Sequence, residues 1–312
     1  MYPVIDSHVD LLYDLISHHP ETPFDETDNA WISPATLAEG GIRAIVSVLY
    51  CMDVCNGPQK AAENLRQLLD YAGKNIRTLG TITSAGELEA CYRGSGAPGA
   101  LLLLENADAL AEYPAEALKR QGFRMAGLTH VGKNRLGDGN TVPNPEGLTR
   151  IGRTLVAELD RLGFALDTAH LSAPCFRDVA ELFSGRLMSS HTGFRTHCDT
   201  PRNLSDEQVR IILDRGGVIG IAAYPGMLSP EGRADISLLF NQIDWFVQKF
   251  GPDGIGIGSD FGGYDTACEG FEDHSRLPAL AELLVKAGYP DTTIRAIMGD
   301  NWFRFFRDLL QD

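Results

Sequence analysis

Residues 100–105 read ALLLLE, an apolar run that ends on a carboxylate. Such a run predicts a strand buried on both faces, as in a parallel sheet that is covered by helices. A carboxylate directly after it, Glu105, is costly to bury unless it is paired or bound to a metal ion. A salt-bridged glutamate at a strand end is the alternative, and this stretch alone does not decide between the two.

Similar apolar runs recur along the chain and alternate with amphipathic segments. Helices are predicted over 61–72 and 144–162, and Asp300 is expected to cap a closing helix. Ser205 and Gln208 form a capping-box pattern that predicts a further helix start. The predicted strands are 4–5, 44–50, 100–104, 125–128, 164–166, 187–189, 218–222 and 254–257.

This alternation predicts a parallel sheet with helices on both faces, and eight units indicate a closed (β/α)8 TIM barrel. A doubly wound open sheet is the alternative, but it favours a glycine fingerprint after an early strand, which the sequence lacks. Because the sequence shows no linker, repeat or low-complexity stretch, residues 1–312 are expected to form one barrel domain.

The composition limits the classes of partner that the protein is expected to bind. The net charge of −15 and the lack of a basic run argue against nucleic acid. Since the chain shows neither a secretory signal nor a membrane-spanning apolar stretch, we expect a cytoplasmic protein with no membrane partner. The six cysteines, which form no C-x-x-C pair, are expected to be reduced thiols. A homodimer is left open.

Potential metal ligands lie where several predicted strands end. In a (β/α)8 barrel these ends share one face, so residues far apart in sequence converge. In the stretch IDSHVD, His8 and Asp10 lie on one side of an extended segment. His170 and His191 close two later apolar segments. With Glu105 these make five ligands, too many for one catalytic zinc ion but suited to two metals bridged by a carboxylate.

A further carboxylate, Asp260, ends the last predicted strand in the stretch GIGIGSD. Such a group beside a metal-bound hydroxide could accept its proton and pass it to a leaving group. A helix cap, or a partner to a metal ligand, is the alternative interpretation of this fragment.

Taken in order, these segments resemble the renal (membrane) dipeptidase family, a branch of the amidohydrolase-like metal-dependent hydrolases. The resemblance extends from residue 5 to residue 303. Its most specific motifs are LTH at 128–130 followed by Asn134 and GDG at 137–139, CDTPRNL at 198–204, and GSDFGG at 258–263. It implies a zinc-dependent dipeptidase, acting on L,L and also L,D dipeptides, whose partner is a small-molecule substrate.

The resemblance also implies two zinc ions per chain. His8 and Asp10 would hold one ion. His170 and His191 would hold the other, and Glu105 would bridge them. A hydroxide between the metals would attack the peptide carbonyl.

Four further residues match positions of the family that contact substrate. His130 would polarise the substrate and steady the oxygen of the tetrahedral intermediate. Arg202 and Tyr224 would bind the free carboxylate of the substrate, and Asp260 would shuttle the proton. Because a guanidinium fork pairs well with a terminal carboxylate, Arg202 gives a physical reason for a preference for dipeptides.

Some features depart from the family pattern. Asn106 follows Glu105 where a glycine is common, and residues 51–55 lie in a loop that often shapes the substrate pocket. These differences leave open which side chains of the dipeptide are preferred. The sequence indicates no role for His274. Two other functions are alternatives. A related binuclear amidohydrolase could act on another amide, such as an N-acyl amino acid or a lactam. A binding protein without turnover is disfavoured, because the full set of ligands is present.

Overall fold

Eight parallel strands close into a barrel in the computed structural model, which describes residues 1–28, 31–76, 78–94 and 96–311. The last strand returns to the first through the pair Asp6 and Ile257. A short additional strand, β3, pairs with the start of β4. The strands are β1 (Val4–Val9), β2 (Ile42–Tyr50), β3 (Gly80–Thr81), β4 (Gly99–Glu105), β5 (Phe123–Gly127), β6 (Ala165–Asp167), β7 (Leu187–Thr192), β8 (Ile219–Ile221) and β9 (Ile255–Ile257).

Helices connect the strands and cover the outside of the barrel. They are α1 (Leu11–His18), α2 (Pro34–Glu39), α3 (Lys60–Asn75), α4 (Ala85–Arg93), α5 (Ala115–Arg120), α6 (Arg150–Arg161), α7 (Ala173–Leu182), α8 (Asp206–Asp214), α9 (Pro225–Leu228), α10 (Ile236–Phe250), α11 (Leu277–Lys286), α12 (Asp291–Arg295) and α13 (Asn301–Leu309). In the described ranges, none of them is long and apolar enough to cross a membrane.

The closed barrel confirms the predicted fold and excludes the open sheet. Each of the eight predicted strands is present, and the capping box of Ser205 and Gln208 begins α8. All six cysteines are free, as expected. The helix predicted over 144–162 begins later, where Thr149 accepts a hydrogen bond from Gly152 and caps α6.

The predicted cap at Asp300 is wrong. A π-helical turn, Ala296–Asp300, runs directly into α13, so no helix begins there that needs a cap. The Asp300 carboxylate instead accepts a hydrogen bond from the Tyr92 hydroxyl, 2.6 Å away. The carboxylate therefore ties α4 to the end of the chain.

Side chains that point alternately to the two faces of the strands form two apolar layers. In β2, Val46 and Val48 pack with Leu101 inside the barrel, whereas Ile45 and Leu49 pack in the layer beneath the helices. This follows from the period of two in a strand, which sends successive side chains to opposite faces. The interior is therefore a packed core, and chemistry is confined to its open end.

Glycines let the strands approach closely near that end. A Cβ atom on Gly258 would lie 1.9 Å from the carbonyl oxygen of Ser190. The same oxygen accepts a hydrogen bond from the Ser7 hydroxyl, at 2.6 Å. Since both neighbours are fixed, no larger residue fits at position 258.

We expect Gly258→Ala to destabilise the fold by about 1–3 kcal/mol, because an added methyl group must displace a packed backbone. Gly73→Ala is the matched control, since a Cβ there meets no atom within 4 Å and position 73 lies inside α3. The control is expected to be neutral or stabilising by about 1 kcal/mol. Urea unfolding measures both. Equal unfolding midpoints for the two variants would show that the close approach imposes no constraint.

Candidate metal centre

A cleft of about 840 Å³ opens at the carboxyl ends of the strands. The predicted site residues that line it are Asp10, Glu105, His130, His170, Arg202, Tyr224 and Asp260. The other two, His8 and His191, are almost fully buried. All nine residues predicted from the sequence are thus gathered around one cleft.

The first cluster of ligand atoms contains Glu105, His170 and His191. The Nε2 atom of His170 lies 3.0 Å from Nε2 of His191 and 3.1 Å from Oε1 of Glu105. Two imidazole nitrogens this close suit a shared cation better than two bound protons. His170 follows β6 with a φ of 64°, in the left-handed region, and this turn directs its ring to the cluster.

The second cluster contains His8, Asp10 and Asp260. The Nε2 atom of His8 lies 3.5 Å from Asp10 Oδ2 and 3.8 Å from Asp260 Oδ1. Glu105 lies between the two clusters, because its Oε1 atom is 4.0 Å from Nε2 of His8 and also 4.0 Å from Nε2 of His191.

Burial shapes the electrostatics of both clusters. It raises the pKa of Asp260 well above its ordinary value and lowers the pKa values of His170 and His191 well below theirs. Burial would also raise the pKa of Glu105, but His170 and His8 outweigh it and lower that pKa. For His8 burial acts downward, yet Glu105 and its neighbouring carboxylates raise the pKa to about 9. The carboxylates thus favour positive charge at His8, and the neutral forms of His170 and His191, which can bind a metal ion, are favoured.

Two buried atoms test whether these residues fit a metal. His8 Nε2 and Glu105 Oε1 make no well-aligned hydrogen bond among the described residues, although His170 Nε2 lies 3.1 Å from Glu105 Oε1. Buried polar atoms in proteins nearly always have one, so atoms that lack one and face each other suggest metal ligands. Nitrogen and carboxylate oxygen are donors that zinc accepts. The residues therefore fit a metal centre.

A third set of atoms that could hold an ion comprises His8, His191 and Asp167, and Asp167 was not predicted from the sequence. The Asp167 carboxylate is already engaged. It accepts hydrogen bonds from the Ser190 amide at 2.8 Å, from the Ser190 hydroxyl at 2.5 Å and from the Ala169 amide at 3.1 Å. The two clusters described above are therefore the better candidates.

Ser190, also missed by sequence reasoning, links both clusters. Its Oγ atom is 2.9 Å from Nδ1 of His8 and 2.8 Å from Nδ1 of His191. Because the hydroxyl donates its proton to Asp167, it can accept the N–H of both imidazoles. This arrangement leaves both Nε2 atoms free to face a metal.

A second network lies behind Asp260. Asp6 accepts hydrogen bonds from the Ser259 amide at 2.9 Å and the Ser259 hydroxyl at 2.5 Å. It also accepts a hydrogen bond from the His8 amide at 3.2 Å and lies 3.0 Å from Nε2 of His274. His274, for which the sequence indicates no role, is fully buried. The network fixes the residue that precedes Asp260.

The predicted substrate-binding residues lie above the clusters. The His130 ring packs against the His170 ring with centroids 4.4 Å apart. Arg202 donates from Nη2 to the carbonyl of His191 at 3.1 Å. Tyr224 is 38% exposed and its ring faces Tyr264 at 5.3 Å, so it lies at the rim.

Comparison with known proteins identifies the family. The family model described as membrane dipeptidase (peptidase family M19) matches residues 1–311. A solved dipeptidase described as an M19 metallopeptidase is 26% identical, with a TM-score of 0.88 over 99% of this chain and 98% of that chain. A metallopeptidase from Rhodobacter sphaeroides, solved with a phosphinate mimic of the dipeptide L-Ala-D-Ala, is 25% identical, with a TM-score of 0.86 over 99% of each chain.

A curated relative is also similar, an uncharacterised protein of the pqqA 5′ region of Klebsiella pneumoniae. It is 28% identical over 262 residues, which are 79% of this chain and 94% of the relative. The chain belongs to the membrane dipeptidase family. It is accordingly a metallo-dipeptidase, a hydrolase that depends on a metal cofactor.

We expect Ser190→Ala to weaken metal binding about 10- to 100-fold, because two candidate ligands lose the acceptor that orients them. Competition with a chelator, followed by metal analysis, measures the affinity. Ser189→Ala is the matched control, since the buried Ser189 hydroxyl has no hydrogen-bond partner in the described residues. Unchanged metal affinity in a folded Ser190→Ala protein would rule out the orienting role.

Proposed function

We propose that this protein is a zinc dipeptidase that hydrolyses L,L and L,D dipeptides with two zinc ions per chain. One observation carries the proposal: two buried ligand clusters meet at Glu105 below a cleft that Arg202 lines. The neighbour that binds a mimic of L-Ala-D-Ala supports a D-residue at the carboxyl end of the substrate.

The two ligand clusters support the following assignment of the metal ligands. His8 and Asp10 would hold one ion, His170 and His191 the other, and Glu105 would contact both. When bound, the zinc ions would lower the pKa of a water molecule and polarise the scissile carbonyl.

Asp260 would move the proton. Its Oδ1 atom lies 3.8 Å from Nε2 of His8 and 3.9 Å from Nε2 of His191, between the ligands of the two ions. A carboxylate there would take the proton of the attacking water and deliver it to the departing amine. His130, on the cleft wall beside His170, would donate a hydrogen bond to the carbonyl oxygen as negative charge develops on it.

Arg202 and Tyr224 would hold the carboxyl terminus of the substrate. One nitrogen of the Arg202 guanidinium donates a hydrogen bond to the His191 carbonyl. The remaining N–H groups are available to a carboxylate. This contact would hold the scissile bond over the metal centre. Such orientation of the reacting groups contributes strongly to the rate. The small-molecule partner is therefore a dipeptide with a free carboxyl end.

We also propose that the whole chain is one metal-dependent hydrolase domain, supported by a family model that spans residues 1–311. The six free cysteines support a cytoplasmic location, where thiols stay reduced. A homodimer stays open.

We expect the zinc-loaded protein to release free amino acids from L,L and L,D dipeptides but not from their C-amidated forms. Amino-acid analysis across a dipeptide library measures this and ranks the side chains. If protein shown to bind about two zinc ions per chain released nothing from any dipeptide, the dipeptidase proposal would fail. N-acyl amino acids and lactams would then be the next substrates to test.

Arg202→Lys tests the carboxylate contact. Lysine keeps the charge but lacks the two-pronged geometry of guanidinium. We expect kcat/KM for dipeptides to fall about 10- to 1,000-fold, since one partner of a buried charge pair is impaired. Lys133, an exposed cation of the loop after His130, provides the control Lys133→Arg, which is expected to leave kcat/KM unchanged. Equal kcat/KM values for the wild type and Arg202→Lys would contradict the assignment.

A further inference from the structure

We propose that Asp53 and Asn106 are positioning residues that hold the His130 ring in its working orientation. The inference rests on the proposed role of His130 in contacting the substrate carbonyl. Neither residue lies among the metal-binding clusters, so both act through His130 rather than on the reacting atoms.

Asp53 makes the contact that fixes the ring. Its Oδ2 atom lies 2.9 Å from Nδ1 of His130. The Tyr50 hydroxyl lies 3.2 Å from the same nitrogen, and the two rings pack with centroids 4.5 Å apart. Because the two nitrogens of imidazole lie on different edges of the ring, holding Nδ1 at Asp53 turns Nε2 away from the Asp53 loop. The ring is thereby fixed both in position and in rotation.

Asp53 sits in the loop between β2 and α3, in the short helical turn Asp53–Cys55. Asn106 holds this turn from both sides. Its Nδ2 atom donates to the carbonyl of Cys51 at 2.6 Å and to Oδ1 of Asn56 at 2.8 Å. It also lies 3.4 Å from Oδ1 of Asp53.

The same side chain reaches the loop that carries His130. Its Oδ1 atom accepts a hydrogen bond from Nδ2 of Asn134 at 2.8 Å. Asn134 donates in turn to the carbonyl of Leu128, also at 2.8 Å, just before His130. One buried amide therefore connects the loop of Asp53 with the loop of His130 and sets their separation.

The backbone at Asn106 supports this interpretation. Its φ of 60° and ψ of 72° lie in the left-handed region, where glycine is the easiest residue and asparagine is tolerated. The backbone alone would thus accept glycine at this position. The contacts of the amide give the reason for a side chain there, and the residue before it is Glu105, so the connection starts at the centre of the site.

Asn106→Gly tests the connection, because it keeps the backbone conformation and removes only the amide. Asp53→Ala removes the contact to the ring directly. We expect each variant to lower kcat about 10²-fold, the size of effect that a misplacement near 1 Å produces, with KM within about twofold and zinc content unchanged. A loss confined to kcat is the mark of an interaction made in the transition state.

Two further variants separate positioning from general stability. Asn144→Gly makes the same substitution at an exposed residue with a φ of 53° and is expected to keep the wild-type kcat. Asp53→Glu restores a carboxylate and is expected to recover part of the kcat that Asp53→Ala loses. Should Asn106→Gly not fold, Asp53→Ala still decides the question, since its side chain is 28% exposed and lies in a loop.

The outcomes distinguish this inference from the proposed function. If wild-type protein cleaves dipeptides and His130→Ala does not, but Asp53→Ala and Asn106→Gly keep the wild-type kcat, the positioning role is overturned and the dipeptidase stands. If the wild type cleaves no dipeptide, the proposed function fails. Crystal structures of the zinc-loaded variants then decide: a displaced or rotated His130 ring supports positioning, and an unchanged ring overturns it.

Discussion

The seam where β1 meets β9 is the contact on which the metal centre depends. The ladder between these strands has one residue pair, Asp6 with Ile257. It is reinforced by backbone hydrogen bonds from Asp260 to the His8 carbonyl at 3.0 Å and from Asp10 to the Phe261 carbonyl at 2.9 Å. Closing the barrel therefore brings together residues about 250 positions apart, and these are the members of one ligand cluster. The architecture and the site are consequences of one set of contacts.

The geometry of a parallel barrel explains how much could be predicted from the sequence. Because all strands point the same way, a polar residue after an apolar run lies at the open end whichever strand it follows. The apolar runs predicted the eight strands, which are confirmed. The rule for their ends led to Glu105 and His170, whose roles as ligands stay predictions. It misjudged the length of β1 and β7, which continue through His8 and His191. Polar side chains suggested that the predicted strands end before these histidines, although the segment of His8 and Asp10 was expected to be extended. In the structure both strands continue and both histidines are buried.

The parts of the site that could not be predicted are those defined by a partner on another strand. Nothing in the sequence distinguishes Ser190 from other serines. Its role arises because the register of β6 and β7 places it beside Asp167. Asp53 and His130 are 77 residues apart, and their contact depends on two loops whose conformation has no periodic signal. At Asn106 the sequence indicated only a departure from a common glycine. The left-handed backbone and the contacts of the amide emerge only when the loops are packed.

Charge balance connects the metal centre with substrate recognition. Arg202 lies 3.3 Å from Nε2 of His170, so a permanent cation faces an imidazole. Burial and then Arg202 lower the pKa of His170, and burial, His8 and Arg202 lower that of His191. Metal ligation requires neutral imidazoles, so the guanidinium favours the form of both rings that can bind zinc. In the proposed function the same guanidinium attracts the carboxylate of the substrate. A neutral residue at position 202 would therefore affect both metal binding and substrate binding, because the one charge acts on the metal ligands and on the substrate carboxylate.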